Sequence, residues 1–82
     1  MRSLWILDGR GGGLAATRIV AIARADSAPV RRMVEAVGWE RIIDLTFGQP
    51  RRALAILDSG HVVALSLTPE ELLEQLEEVH HG

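Results

Sequence analysis

Ala53-Leu54-Ala55-Ile56-Leu57-Asp58-Ser59-Gly60-His61-Val62-Val63-Ala64-Leu65-Ser66 is the stretch from which the fold follows. Two short apolar runs flank Asp58-Ser59-Gly60, a tight-turn signature, and the spacing predicts a β-hairpin. Working outward, residues 41–46 read as another strand, joined to the hairpin by Phe47-Gly48-Gln49-Pro50-Arg51-Arg52. Residues 18–23 are apolar on both faces, the pattern of a strand covered on both sides, with Arg18 opening it. Residues 4–7 form a short apolar strand, residues 8–13 a glycine-rich turn, and Leu14-Ala15-Ala16 the start of the return strand.

Two helices complete the reading. Ser27-Ala28-Pro29 starts the first: the serine side chain accepts from an otherwise unpaired backbone N–H, and proline is tolerated in the first turn. Val30, Met33, Val34 and Val37 then recur at i, i+3, i+4 and i+7, and Gly38 suits a left-handed stop. Thr68-Pro69-Glu70-Glu71 is a capping box opening the second helix, whose apolar stripe is Leu72, Leu73, Leu76 and Val79. The expected class is therefore α+β, a small strand-rich sheet with two helices. It occupies residues 1–82 as a single domain, with 68–82 an acidic C-terminal helix. Two helices are expected to cover little of a sheet whose strands are apolar on both sides, leaving surface for another subunit.

Size and composition point the same way. A chain of 82 residues buries a limited share of its surface. With no cysteine, disulfides and thiolate metal sites are excluded, so self-association is the expected source of extra burial. No segment reaches the ~20 apolar residues needed to cross a bilayer, and residues 1–8 break too early for a secretory signal. A cytoplasmic protein without a membrane partner is expected. The net charge of −2 hides an asymmetry. Residues 1–67 carry all nine basic residues, every one an arginine, and six acids, whereas residues 68–82 carry five glutamates and no arginine. A basic body with an acidic tail suits nucleic-acid contact; the acids equally suit the solvated face of a helix.

The glycine-rich turn lacks the Gly-Lys-Ser/Thr ending of a phosphate-binding loop and reads as a hairpin turn. Glu77 and His81 stand at i, i+4, but two ligands make a poor metal site, so no metal is expected. Ser59 lies two residues before His61 as a turn serine beside a turn histidine, and no serine sits in a Gly-x-Ser-x-Gly elbow. No catalytic residue, cofactor or small-molecule substrate is expected, and the chain is not read as an enzyme. The arginines remain: Arg18 at a strand start, Arg51 and Arg52 at a loop–strand junction, Arg31 and Arg32 on a helix flank. Guanidinium groups pair bidentately with phosphate and displace condensed counterions. They are either a phosphate-binding set, too small in one monomer but repeated in a symmetric assembly, or ordinary surface charges partly paired with Asp8, Asp44 or Asp58.

The chain from Arg18 to about Leu73 resembles the RemA-like family, regulators of bacterial biofilm extracellular-matrix genes. The resemblance lies in Arg18-Ile19-Val20-Ala21-Ile22, Ser27-Ala28-Pro29-Val30-Arg31-Arg32-Met33 and Ile43-Asp44-Leu45-Thr46-Phe47-Gly48. Arg52-Ala53, Asp58-Ser59-Gly60-His61-Val62-Val63 and Ser66 through Glu70 extend it in order. What the resemblance implies is a non-enzymatic protein that binds double-stranded DNA as a cyclic homo-oligomer, its arginines reaching the DNA backbone. Arg18 falls on the family's arginine at that strand start, and Arg52 matches in register. After Gly48 the family carries an Arg-Arg-Thr-Arg-Ala-like run. Here Gln49 and Pro50 replace two arginines, and Arg51 stands where threonine is usual. The implied DNA contacts are Arg18, Arg51 and Arg52, with Arg31 and Arg32 as additions. The alternative is an oligomeric assembly or protein-interaction module without nucleic-acid binding.

Overall fold

The computed structural model describes residues 5–7 and 11–80. The elements in chain order are β1 (Trp5–Leu7), β2 (Gly13–Ala15), β3 (Ile19–Arg24), α1 (Ala28–Val37), β4 (Ile42–Asp44), β5 (Ala53–Leu57), β6 (Val62–Leu65) and α2 (Pro69–His80). β1 and β2 pair antiparallel as a separate ribbon. The main sheet has the order β3-β5-β6-β4, antiparallel except where β4 runs parallel to β6. The chain is thus α+β, as its sequence pattern implies.

The β5–β6 hairpin occupies the middle of the sheet, and its side chains alternate between two cores. Leu54, Val62 and Ala64 face α1, where Val30, Met33, Val34 and Val37 pack on them. Ala53, Ala55, Val63 and Leu65 face the other way, against Ile6 and Leu14 of the ribbon and Leu72 of α2. Period-two alternation of apolar residues needs a cover on each face. α1 supplies one, and α2 with the ribbon supplies the other. This corrects the expectation that two helices leave most of the sheet bare. Each fully buried valine or leucine contributes about 1.5–3 kcal/mol, so these two strands anchor the domain.

The turns and caps follow their residues. The Gly60 N–H donates to the Leu57 carbonyl at 3.0 Å and the Leu57 N–H to the His61 carbonyl at 2.9 Å, closing the hairpin at a glycine with φ 89°. Ser27 Oγ accepts from the Val30 N–H at 3.3 Å. Thr68 and Glu71 exchange bonds, Thr68 N–H to Glu71 Oε1 at 2.9 Å and Glu71 N–H to Thr68 Oγ1 at 3.2 Å. That reciprocal pair satisfies two donors at the start of α2.

Four expectations are corrected. Arg18 does not open β3: it ends a 3₁₀ turn, Ala16–Arg18, and the strand begins at Ile19. β3 is an edge strand, and none of its residues is buried, so it is not covered on both sides. Its register with β5 shifts between Ile19 and Ala21, so Val20 bulges out and is 66% exposed; bulges of this kind blunt an open edge. The strand expected over residues 41–46 is shorter, because Trp39–Arg41 forms a second 3₁₀ turn before β4. Leu73 leaves the stripe of α2: Leu72 is fully buried and Leu76 packs beside it, whereas Leu73 is exposed. Leu72 and Leu76 are i, i+4 neighbours on one helical face, and Leu73 lies off it. Leu4, Asp8, Gly9, Arg10 and His81, which entered the first-strand, turn and metal readings, lie outside the described residues.

Candidate nucleic-acid interface

Antiparallel pairing fixes where the arginines stand. β3 runs from Ile19, opposite Leu57, to Arg24, opposite Ala53. Arg18 therefore lies beside Asp58 at the hairpin end of the sheet, and Arg24 lies beside Arg52 at the other. At a rise of about 3.3 Å per residue the two ends are roughly 20 Å apart. The expected set is split: the fold brings Arg51 and Arg52 together but holds Arg18 away from them.

At the hairpin end, the Asp58 N–H donates to the Arg18 carbonyl at 2.9 Å, and Arg18 Nη1 pairs with Asp58 Oδ2 at 3.0 Å. The ion pair is largely exposed, so it orients the guanidinium more than it stabilises the fold. Arg41 joins this end, its Nη1 lying over Gly60, where an added Cβ would sit 3.1 Å away. Ser59 Oγ and His61 Nδ1 are 2.7 Å apart, and the same Oγ accepts weakly from the His61 N–H at 3.4 Å. Both contacts are local to the turn, the ordinary behaviour of a turn serine.

At the opposite end the loop between β4 and β5 returns to the sheet. The Leu45 N–H donates to the Ala64 carbonyl and the Arg52 N–H to the Leu65 carbonyl, both at 2.9 Å. The loop thus leaves and re-enters beside the last residues of β6. A cleft of about 310 Å³ is lined here by Arg24, Asp26, Pro50, Arg51, Arg52 and Glu70, among others. A neighbouring groove of about 410 Å³ shares Arg51 and Asp26 and adds Arg31, Trp39, Val34 and Leu54. Arg31 therefore faces the same region as Arg51, whereas Arg32 is exposed on α1 and lines neither cavity.

Acids accompany these cations. Arg24 Nη2 meets Asp26 Oδ2 at 3.3 Å. Asp44 is held below the usual carboxylate range, first by the Thr46 hydroxyl, then by the Thr46 N–H and the positive charge of Arg51, with burial opposing. Glu71 is lowered by the Thr68 N–H, then the Thr68 hydroxyl, with Arg52 adding a smaller attraction. The pairing of Arg18 with Asp58 and the proximity of Arg51 to Asp44 match two of the partners expected for ordinary surface charges.

Within the loop, Thr46 is 3% exposed and gives both its N–H (2.9 Å) and its hydroxyl (2.6 Å) to Asp44 Oδ1. The Gln49 N–H closes a turn on the Thr46 carbonyl at 3.0 Å. Its central residues, Phe47 (φ 51°) and Gly48 (φ 86°), are both left-handed, as in a type I′ turn. Glycine takes this conformation freely, whereas a bulky L-residue there costs about 1–2 kcal/mol.

Sequence reasoning missed Arg24, Arg41 and the left-handed Phe47. Arg24 was legible in principle, since it closes the run that Arg18 precedes and an antiparallel partner would set it beside Arg52. Arg41 and Phe47 carry no such local signal.

Among the described residues no group of three or more His, Asp or Glu side chains is placed to hold a metal. No helix among them is long and apolar enough to cross a membrane. What remains is a small α+β domain with exposed arginines at both ends of its sheet. The chain belongs to the RemA-like family, described as extracellular matrix regulatory protein A-like, whose profile matches residues 8–76. It is similar to a Heliobacterium modesticaldum protein named "Putative regulatory protein", 42% identical over 78 residues and covering 90% of this chain and 86% of the relative. A Dictyoglomus thermophilum protein of the same name is 41% identical over 70 residues, covering 84% and 82%. A Synechococcus elongatus relative, also named as a regulatory protein, is 45% identical over 65 residues, covering 78% and 75%. These names are those of regulators, not of enzymes.

Proposed function

We propose that this chain is a DNA-binding transcriptional regulator that works as a ring-shaped homo-oligomer in the cytoplasm and acts on biofilm matrix genes. Arg18, Arg51 and Arg52 contact DNA phosphates, with Arg31 and Arg32 as further contacts. The observation that carries the reading is the family match over most of the chain, combined with exposed arginines at both ends of the sheet. Surface ion pairs are worth about 0–1 kcal/mol, so a phosphate displaces Asp58 from Arg18 at small cost. Ends roughly 20 Å apart reach phosphates about six base pairs apart along a duplex; repetition around a ring sums contacts that are weak singly. The marginal size of the domain and its exposed Trp5, Leu7 and Trp39 favour self-association.

The test has two arms. Light scattering after size exclusion is expected to give a particle several times the 9.0 kDa chain mass; a monomer contradicts the ring. Gel retardation of duplex DNA is expected to weaken as salt rises. A second reading, an assembly module without nucleic acid, is favoured by the acid beside each of Arg18, Arg51 and Arg52. It becomes the account if the chain assembles but retards no DNA at low salt.

A further inference from the structure

Phe47 is the one non-glycine residue with positive φ among the described residues, at 51°, and the residue is 56% exposed. The strain is not repaid by burial of the ring within the chain. It is held instead from below, by the buried Thr46 clamped on Asp44 and by the Gln49–Thr46 turn bond. Strained conformations persist where the surroundings over-determine them, and they cluster at sites of function. Asparagine or glycine would make the same turn without strain, so the turn is shaped to present an aromatic ring outward.

Its place sets it beside the arginines of the loop end. The loop leaves and re-enters the sheet beside Ala64 and Leu65, at the end that carries Arg24, Arg51 and Arg52. From Thr46 to Arg52 the loop contains two arginines and no acid. We infer that Phe47 is an apolar wedge that enters a base step of duplex DNA held by the neighbouring arginines. This rests on the DNA-binding reading above and adds to it a source of sequence preference. Phosphate contacts position a protein without reading bases. A wedge reads deformability, because pyrimidine–purine steps unstack at lower cost than others, and apolar side chains kink DNA by this route. A turn already fixed at Thr46 and Gln49 loses little freedom on insertion.

The test uses the full chain and short duplexes that differ only in one central step, TA or AA, with 2-aminopurine beside it to report unstacking. Wild type is expected to raise the fluorescence of the TA duplex and to bind it about fivefold or more tightly than the AA duplex. Phe47→Asn keeps the left-handed turn and removes the ring, so it is expected to fold, bind both duplexes alike and give no fluorescence rise. Phe47→Leu, still apolar, is expected to keep part of the rise. The wedge is overturned if Phe47→Asn unstacks DNA as wild type does. It is equally overturned if that variant loses assembly by light scattering, which would make the ring a subunit contact. Wild type that binds DNA without unstacking it overturns the wedge alone. Wild type that binds no DNA at low salt overturns the DNA-binding reading and the wedge with it.

Discussion

The two ends of the sheet carry the same residue type in opposite circumstances. At the hairpin end Arg18 is fixed through both its carbonyl and its guanidinium to Asp58. At the loop end Arg51 and Arg52 feel Asp44 and Glu71 only through space. The first arginine is oriented by a direct ion pair; the second pair has acids nearby but, among the described residues, no direct ion pair to orient it. Arg18 is held against the three-residue turn of the hairpin and inherits its rigidity, whereas Arg51 and Arg52 end an eight-residue connection and depend on whatever braces it. Here the brace is Thr46 on Asp44.

That contrast can be broken most severely through the strand both ends share. Leu65 is fully buried, and its carbonyl holds Arg52. Leu65→Ala is expected to cost about 3 kcal/mol in urea unfolding. A loss below about 1 kcal/mol would mean that β6 does not anchor the domain. Next in size, Gln49→Arg with Pro50→Arg restores charge to the loop end alone. The salt slope of DNA binding is expected to steepen by up to about 1.8 for each subunit engaged, read by retardation across salt. An unchanged slope would remove this loop from the interface.

The brace itself comes third. Thr46→Val removes one hydrogen bond to Asp44 and is expected to cost about 1 kcal/mol near neutral pH. Asp44 is lowered in the folded chain, so its contribution is complete above the unfolded value of about 3.9 and lost as pH falls through the lower folded one. The difference between variant and wild type in urea unfolding is therefore expected to be constant above about pH 5 and to shrink below about pH 4. A difference that persists unchanged at pH 2 would assign the effect to packing instead. Smallest is Asp58→Ala, which frees Arg18. Stability is expected to change by under about 1 kcal/mol, with DNA affinity rising. A fall in affinity would show that orientation of Arg18 matters more than its charge.

Much of the fold was legible because it rests on local rules. Asp58-Ser59-Gly60 between apolar runs gave the hairpin, and Ser27, Thr68 and Glu71 gave the helix starts. What was not legible depends on long-range pairing. Residues 18–23 look buried on both sides by composition, yet β3 is an edge, and only its register with β5 reveals the bulge at Val20. Leu73 fits an apolar stripe by spacing, but the ribbon and sheet cover the face of Leu72 and Leu76 instead. The candidate residues themselves were readable, Arg18 and Arg52 through the family resemblance. Their separation to opposite ends was not, since it follows from antiparallel pairing of strands about thirty residues apart.

The central claim, that exposed arginines at both ends engage DNA phosphates, is tested most directly by retardation of one duplex across a salt series. The proteins to compare are wild type and the Arg18→Ala plus Arg52→Ala variant, with assembly checked by light scattering. Wild type is expected to bind with a steep inverse salt dependence. The variant, still assembled, is expected to lose affinity at every salt concentration and to show a shallower slope, one contact fewer per arginine engaged. A variant that remains assembled and binds DNA as tightly as wild type, with the same slope, would contradict the account.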